Sequence, residues 1–402
     1  MEKYWFGGIP VDWEGVCIQN GCVSSMEGLV HLLANPGDTI IVPGPCYSVF
    51  VVDWWVRCQT RLEAAHTSVE TNFEPTLESL EDAYNRAVAG GSRVKALALI
   101  QPNNPTGRML SKRCLEMCLK WAYEKGIHLI SDEIYAISIF EGNQMISFAG
   151  IWHEYIAQKK DDAQMMHFLK NYCHITGGLA KDFGLSGFRI GICYTYNEEV
   201  RAAFSRIFGY LLQASTHSQY LMSKVFADEE WLENFITVIR RRLTKAYKSI
   251  VGALKAVDVP VFEGQGTLML WADFRKFLPE NSFRGEDLLW EELFTECKWL
   301  ITRGQQYLCT EPGWFRVMFT SQEWVSEEQI SAPFDALKER LIQWKIKRSA
   351  KYVGAAPTLS LSPAPQISGQ SNQNHFCYDD DDDLEEYEQC SDLINAYSMI
   401  EA

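Results

Sequence analysis

The stretch Val94-Lys-Ala-Leu-Ala-Leu-Ile-Gln-Pro-Asn-Asn-Pro-Thr-Gly107 reads as a buried strand running into a rigid turn. The strand part is apolar except for Lys95. The turn carries two prolines, which fix φ and disfavour helix at the residue before them. The Asn104 amide is thereby held in one place. Next, Ser111 caps a helix with Leu115, Cys118, Leu119 and Ala122 on one face, Gly126 ends it, and Ile127-His-Leu-Ile130 forms another strand. That strand delivers Ser131-Asp-Glu-Ile-Tyr-Ala136, so Asp132 and Tyr135 also follow a strand end. Strand, helix and strand in this order make one crossover unit of a parallel sheet.

The same alternation extends in both directions. Upstream, Val16-Cys-Ile18 is a short strand followed by Gly21-Cys-Val-Ser-Ser25, after which Met26, Leu29, Val30 and Leu33 recur at helical spacing until Asn35-Pro-Gly37. Such a turn offers an anion the amides near Val23 and Ser24, the positive end of a helix dipole and a serine hydroxyl. A plain serine N-cap explains the same residues. Thr39-Ile-Ile-Val42 is a buried strand leading to Tyr47, whose ring either stacks on a flat ligand or packs as an ordinary aromatic. Arg61 to Ala65 is β-rich, and a helix is expected from about Leu77 to Ala89. Downstream, Cys173-His-Ile-Thr176 reads as a strand and Ile192-Cys-Tyr-Thr195 as another. Between them lies Gly177-Gly-Leu-Ala-Lys-Asp-Phe-Gly-Leu-Ser-Gly-Phe-Arg-Ile-Gly191, expected to be a tightly bending loop. A lysine held in such a loop can be partly desolvated, which frees an amine for Schiff-base chemistry, so Lys181 is the candidate, and Arg189 offers a fixed charge to an anion such as phosphate. An exposed loop with two solvated bases is the plainer alternative.

The fold expected is α/β, a mostly parallel sheet with helices on both faces and a ligand crevice at the carboxyl ends of its strands. Asn104, Asp132, Tyr135 and Lys181 all fall just after predicted strands, so one sheet edge can gather them. Asn197 then opens a long helical region through about Lys255, with Arg240-Arg-Arg242 expected on a solvated face. Strands at Val259–Phe262, Thr267–Trp271 and Trp314–Phe319 and helices near Gly285–Glu296 and Glu327–Lys345 suggest a smaller α+β domain. Arg316 is a lone cation in an apolar strand, which calls for a substrate carboxylate or a structural acidic partner. The expected division is 1–215, 216–348 and an acidic, disordered tail at 349–402 that closes on a candidate partner-binding helix, Cys390–Ile400.

Composition limits the classes of function. The chain has 402 residues, 47% hydrophobic and 22% charged, in the range of a globular protein. Its net charge of -15 is concentrated in the tail, which holds ten Asp or Glu and one Lys. An acidic body argues against nucleic acid as the main partner. The twelve cysteines are scattered without a C-x-x-C pair, as in reduced, buried thiols, and Cys114 with Cys118 reads as core packing rather than a metal pair. The Asp379–Asp383 run lacks the spacing of a calcium loop. With no run long enough to span a membrane and no targeting segment at the start, a cytoplasmic protein is expected.

Asn103-Asn-Pro-Thr-Gly107, Ser131-Asp-Glu-Ile-Tyr-Ala136, Ala180-Lys-Asp-Phe-Gly-Leu-Ser-Gly-Phe-Arg-Ile-Gly191 and Glu311-Pro-Gly-Trp-Phe-Arg-Val317 occur in an order and spacing that resemble a known family. The chain looks like a fold type I pyridoxal phosphate (PLP) enzyme of the class I/II aminotransferase group, nearest to 1-aminocyclopropane-1-carboxylate (ACC) synthase-like proteins, from about Gly21 to Arg340. The resemblance implies a PLP-dependent transferase-like large domain, pyridoxal 5'-phosphate as cofactor, and an α-amino acid substrate. It implies that Lys181 forms the internal aldimine and shuttles a proton, and that Asp132 pairs with the ring nitrogen. Asn104 and Tyr135 would bond the ring hydroxyl oxygen, and Tyr47 would stack on the ring. The amides near Val23 and Ser24 with Arg189 would hold the phosphate, and Arg316 the substrate carboxylate. It further implies a homodimer. Transamination and lyase chemistry both remain open, as does a catalytically impaired member acting as a binding or regulatory protein. Two departures stand out. Gly178 occupies the position where the family has a phosphate-binding serine, a lost bond worth on the order of 1.5–3 kcal/mol. The chain also starts almost at the phosphate turn, where the family has a longer leading segment, as in a truncated gene model or a weakened cofactor site.

Overall fold

Leu97 and Leu99 point to one face of the strand Val94–Ile100, while Ala96, Ala98 and Ile100 point to the other, and every one of the five is buried. This period-two segregation, with apolar side chains on both faces, is what a central strand under two helical layers requires. In the computed structural model, which describes residues 1–320 and 327–352, that strand lies inside a seven-stranded sheet. Its strands are β1 (Val16–Asn20), β2 (Thr39–Gly44), β3 (Arg61–His66), β4 (Val94–Ile100), β5 (His128–Asp132), β6 (Cys173–Gly178) and β7 (Ile190–Thr195). They are ordered β1-β7-β6-β5-β4-β2-β3. The pairs from β3 through β6 are parallel, and β7 runs antiparallel to both β6 and β1.

Helices cover both faces. Residues of the helices Leu77–Ala89, Lys112–Lys125 and Phe148–Gln158 pack in one core with Leu97, Leu129 and Ile175. Those of Cys22–Leu33, Phe50–Cys58 and Glu198–Arg206 pack on the other side with Ile40, Ala98 and Ile130. The Ser111 hydroxyl accepts from the Cys114 amide at 3.2 Å, and Gly126 ends that helix in the left-handed conformation, φ +65°. A second, all-antiparallel sheet contains β8 (Val261–Phe262), β9 (Met269–Asp273), β10 (Thr302–Arg303) and β11 (Trp314–Met318), ordered β10-β11-β9-β8. Its core takes in the helices Glu229–Lys255, Phe283–Cys297 and Ala332–Tyr352.

The two sheets meet at a backbone junction. The Gly107 carbonyl accepts from the amides of Gln265 (2.8 Å) and Gly266 (3.1 Å), the Thr267 amide donates to the Ser138 carbonyl at 2.7 Å, and Ile139 bridges Gly266. A Cβ at Gly266 would sit 2.7 Å from the Ser138 carbonyl oxygen, so only glycine allows this approach.

Two expectations need correction. The long helical region after Asn197 is three helices, Glu198–Arg206, Thr216–Phe226 and Glu229–Lys255. Arg240 is not on a solvated face: it is partly buried, and its Nε donates to the Ile137 carbonyl at 3.0 Å. Cys114 and Cys118 are buried free thiols, and no group of metal-binding side chains occurs among the described residues. The tail from 353 onward, with its candidate helix, lies outside the described residues. No described helix is long and apolar enough to cross a membrane.

Candidate active site

Because β2, β4, β5 and β6 are parallel, the residues after them emerge at one edge: Tyr47 after β2, Asn104 after β4, Asp132 at the end of β5 and Lys181 after β6. The antiparallel strand β7 begins where β6 ends, with Gly178 opposite Gly191, and this brings Arg189 to the same edge. β1, antiparallel to β7, ends there as well, with Asn20 opposite Ile190, so the turn Gly21–Ser24 lies beside Arg189. The strand directions alone therefore gather residues separated by up to about 170 positions, which is how this architecture builds crevices.

Close backbone packing shapes the end of this edge beside Gly21 and Arg189. Gly21 has φ +89°, and a Cβ on it would fall 2.4 Å from an Arg189 guanidinium nitrogen. A Cβ on Gly191 would fall 2.1 Å from the Gly21 carbonyl carbon. Arg189, itself left-handed at φ 51°, donates to the carbonyls of Ser186 (3.1 Å) and Asn20 (3.4 Å). Ser24 Oγ donates to the Asn20 carbonyl at 2.9 Å, so its hydroxyl proton serves the turn. Val23 is exposed and offers only its amide. A guanidinium over a helix N-terminus can hold an anion.

At the centre, the buried Asp132 Oδ1 accepts from the Ile134 amide at 3.2 Å and the Cys22 thiol at 3.4 Å. Burial pushes its carboxyl up to about 6 despite these bonds. Burial likewise raises the Tyr135 phenol well above its ordinary range, against the pull of the Arg316 charge. Lys181 is not on an irregular loop as expected but in a one-turn helix, Leu179–Asp182. Of the five glycines around it only Gly184 takes a left-handed φ, +65°. Gly177 instead makes room for the Trp5 ring and Gly178 for the Ile190 carbonyl oxygen, 2.4 Å and 2.6 Å from where a Cβ would be.

At the far side, Arg316 on β11 is buried, lies over the Tyr307 ring at 4.8 Å and donates to Asn104 Oδ1 at 3.4 Å. Its Nε has no acceptor among the described residues. Among the described residues no acidic side chain pairs with it. Tyr47 is half-buried, with its ring edge-on to Phe50 at 5.2 Å.

Five side chains here, Trp5 among them, escaped the sequence reading. Cys22 touches Asp132, and Tyr307 carries Arg316. Glu133 accepts from Trp5 Nε1 (2.6 Å), Ser131, Ser147 and the Phe148 amide, and burial pushes its carboxyl up to about 7. Asp182, buried and pushed by burial to about 7, binds the turn after Tyr135. The one available signal was the acidic residue directly after Lys181.

Comparison with known proteins identifies the family. The family described as "Aminotransferase class I and II" matches residues 2–328. 1-aminocyclopropane-1-carboxylate synthase 2 of Solanum lycopersicum is 33% identical over 323 residues, 80% of this chain and 65% of that protein. The Mus musculus protein named "Probable inactive 1-aminocyclopropane-1-carboxylate synthase-like protein 2" is 33% identical over 327 residues, 79% of this chain and 54% of that one. The chain thus spans less than two thirds of the length of either relative. The crystal structure of the aromatic aminotransferase from Pyrococcus horikoshii shares the fold, with a TM-score of 0.70 at 17% identity over 85% of this chain and 82% of that one. The family match over most of the chain, together with the shared fold, shows that this protein belongs to the aminotransferase class I and II family, whose cofactor is pyridoxal 5'-phosphate.

Proposed function

We propose that this chain is a PLP-dependent enzyme acting on an α-amino acid, either an aminotransferase or an ACC-synthase-like lyase. The observation that carries the reading is Arg316: a buried guanidinium whose Nε has no acceptor among the described residues, held against Asn104 at the edge that also bears Lys181 and Asp132. An uncompensated buried cation favours an anion, and a substrate carboxylate supplies two oxygens to its fork.

The residues fit the cofactor on three counts. The Gly21 turn under Arg189 suits a phosphate. The buried Asp132, costly as an isolated carboxylate, suits a cationic ring nitrogen. Asn104 and Tyr135 place polar atoms near a ring edge, and Tyr47 is the candidate to stack. When bound, PLP supplies an electron sink for charge developing at the α-carbon. Asp132 would hold the proton at the ring nitrogen, the amides near Val23 and Ser24 with Arg189 would fix the phosphate end, and Arg316 would orient the amino acid. Lys181 would hold the cofactor through its amine and would carry a proton at Nζ.

The reading extends to a large domain at 1–215 and a smaller one at 216–348, working as a cytoplasmic homodimer. Exposed Tyr210, Leu211 and Tyr220, on the segment whose Leu212 carbonyl meets the Asn20 amide, supply an apolar face for a second copy. A second reading, a catalytically impaired member acting through binding, is favoured by Gly178, where no serine hydroxyl reaches the phosphate.

The test is purified protein supplied with PLP, then with single amino acids and S-adenosylmethionine, with and without an oxo acid. A spectral response that requires the oxo acid identifies an aminotransferase. Turnover of S-adenosylmethionine alone identifies the lyase. Cofactor binding with no response to any amino acid identifies the impaired member.

A further inference from the structure

A four-residue helix cannot hold its own direction, because one turn fixes many dihedrals for very few hydrogen bonds. The helix Leu179–Asp182 that carries Lys181 is only four residues long, and its Leu179 carbonyl accepts from the amides of Phe183 (3.2 Å) and Leu185 (3.3 Å). Its aim depends on outside anchors. Asp182 provides them. Its Oδ2 accepts from the Ile137 amide at 3.0 Å, and its Oδ1 accepts from the Ser138 amide at 3.0 Å and the Ser138 hydroxyl at 2.7 Å.

All three donors belong to the turn that follows Tyr135, itself held from two more sides. Arg240 Nε donates to the Ile137 carbonyl, and the Thr267 amide to the Ser138 carbonyl. The carboxylate therefore sits where the end of β6, the continuation of β5 and the loop into β9 converge. A buried carboxylate is tolerated only when its lone pairs are filled, and here both oxygens are occupied.

We propose that Asp182 is a positioning residue: by clamping the Lys181 helix to the Tyr135–Ser138 turn, it sets the direction of the Lys181 amine relative to Asp132 and Tyr135. The inference rests on the cofactor reading above. Asparagine at this position is a poor substitute, because its amide NH2 must face one of the backbone N–H groups and a donor meets a donor. Above about pH 7, where Asp182 is ionised, loss of its charge also removes a group that favours the protonated form of the nitrogen on the adjacent Lys181.

The test compares wild type, Asp182→Asn and Ser138→Ala. It reads PLP retention, the rate of borohydride trapping of PLP on the Lys181 peptide, and the pH midpoint of the visible band of lysine-bound PLP. Asp182→Asn should retain PLP roughly ten- to a hundredfold more weakly. Trapping should slow about tenfold and the midpoint should fall by about one pH unit, with the circular dichroism spectrum preserved. Ser138→Ala, which removes one of three donors, should move each quantity the same way by a smaller amount. A lowered melting temperature with wild-type midpoint and trapping rate would show a merely structural role and overturn the proposal. If Asp182→Asn does not fold, Ser138→Ala decides, and wild-type values there overturn it. A wild-type protein with no visible band would instead refute the cofactor reading itself, and the inference with it.

Discussion

Arg316 and Asn104 lie 212 residues apart in sequence, yet the Arg316 guanidinium donates to the Asn104 side-chain oxygen at 3.4 Å. One residue comes from the small antiparallel sheet, the other from the turn after β4, so this contact closes the crevice between them. Arg316→Lys keeps the charge but not the planar fork, and a bidentate carboxylate contact does not survive that exchange. Amino-acid affinity, read by spectral titration of the PLP-loaded protein, should fall roughly ten- to a hundredfold. PLP affinity should stay unchanged.

Arg189 separates the phosphate from the ring in a way that can be measured directly. Arg189→Ala should weaken PLP binding roughly ten- to a hundredfold while leaving binding of pyridoxal, which lacks the phosphate, unchanged. Equal losses for both ligands would place Arg189 in the fold and not at the phosphate.

Gly178 invites the substitution Gly178→Ser, which would restore the residue the family places there. The structure predicts that it fails. The new Cβ would lie 2.6 Å from the Ile190 carbonyl oxygen and 3.2 Å from the Gly191 Cα, and both neighbours are backbone. Strands β6 and β7 must part to admit it, at a cost of about 1–3 kcal/mol. Thermal unfolding of the cofactor-free protein should show this loss. An unchanged melting temperature with tighter PLP binding would contradict it.

Asp132 sets a pH dependence. Burial raises its carboxyl to about 6 in the folded chain, above its unfolded value, so the folded state binds that proton more tightly. Its contribution to the stability of the cofactor-free protein is present below about pH 4 and is lost as pH rises through about 6. Asp132→Asn cancels this term. The cofactor-free variant should be more stable than wild type at pH 7.5 by up to about 3 kcal/mol, equal to it near pH 4, and impaired in binding PLP. Denaturant titrations at the two pH values check both halves.

The architecture was legible because its signals are local. The Leu77–Ala89 helix, the Ser111 cap, the Gly126 stop and the β4 strand each announce themselves within a few residues, and strand ends then predict which side chains share an edge. The helix Phe50–Cys58 was not legible: Phe50, Val51, Val52, Trp54 and Trp55 are β-branched or aromatic, and only packing of Phe50, Trp54 and Cys58 under the sheet makes them helical. The helices Phe148–Gln158 and Ala163–Asn171 were missed as well. In the site, Asn104, Asp132, Lys181 and Arg189 could be named because each follows or precedes a strand at the crevice edge. Asp182, Glu133, Trp5 and Tyr307 could not. The Asp182 bonds to Ser138 and the Trp5 bond to Glu133 reach across 44 and 128 positions, and a buried carboxylate looks like any surface acid until its donors are seen. Arg240 shows the converse, a charge in a basic run that turns out to bind a backbone carbonyl.

The central claim is that Lys181 binds the cofactor covalently in a crevice formed by this chain. It is tested most directly by adding PLP to the purified protein, reducing with borohydride, and mapping the modified peptide by mass spectrometry, with Lys181→Ala alongside. The account predicts a visible absorption band in the wild type, PLP fixed on the peptide containing Lys181, and neither in the variant. A band that persists in Lys181→Ala, or label spread over other lysines with none at 181, would contradict it.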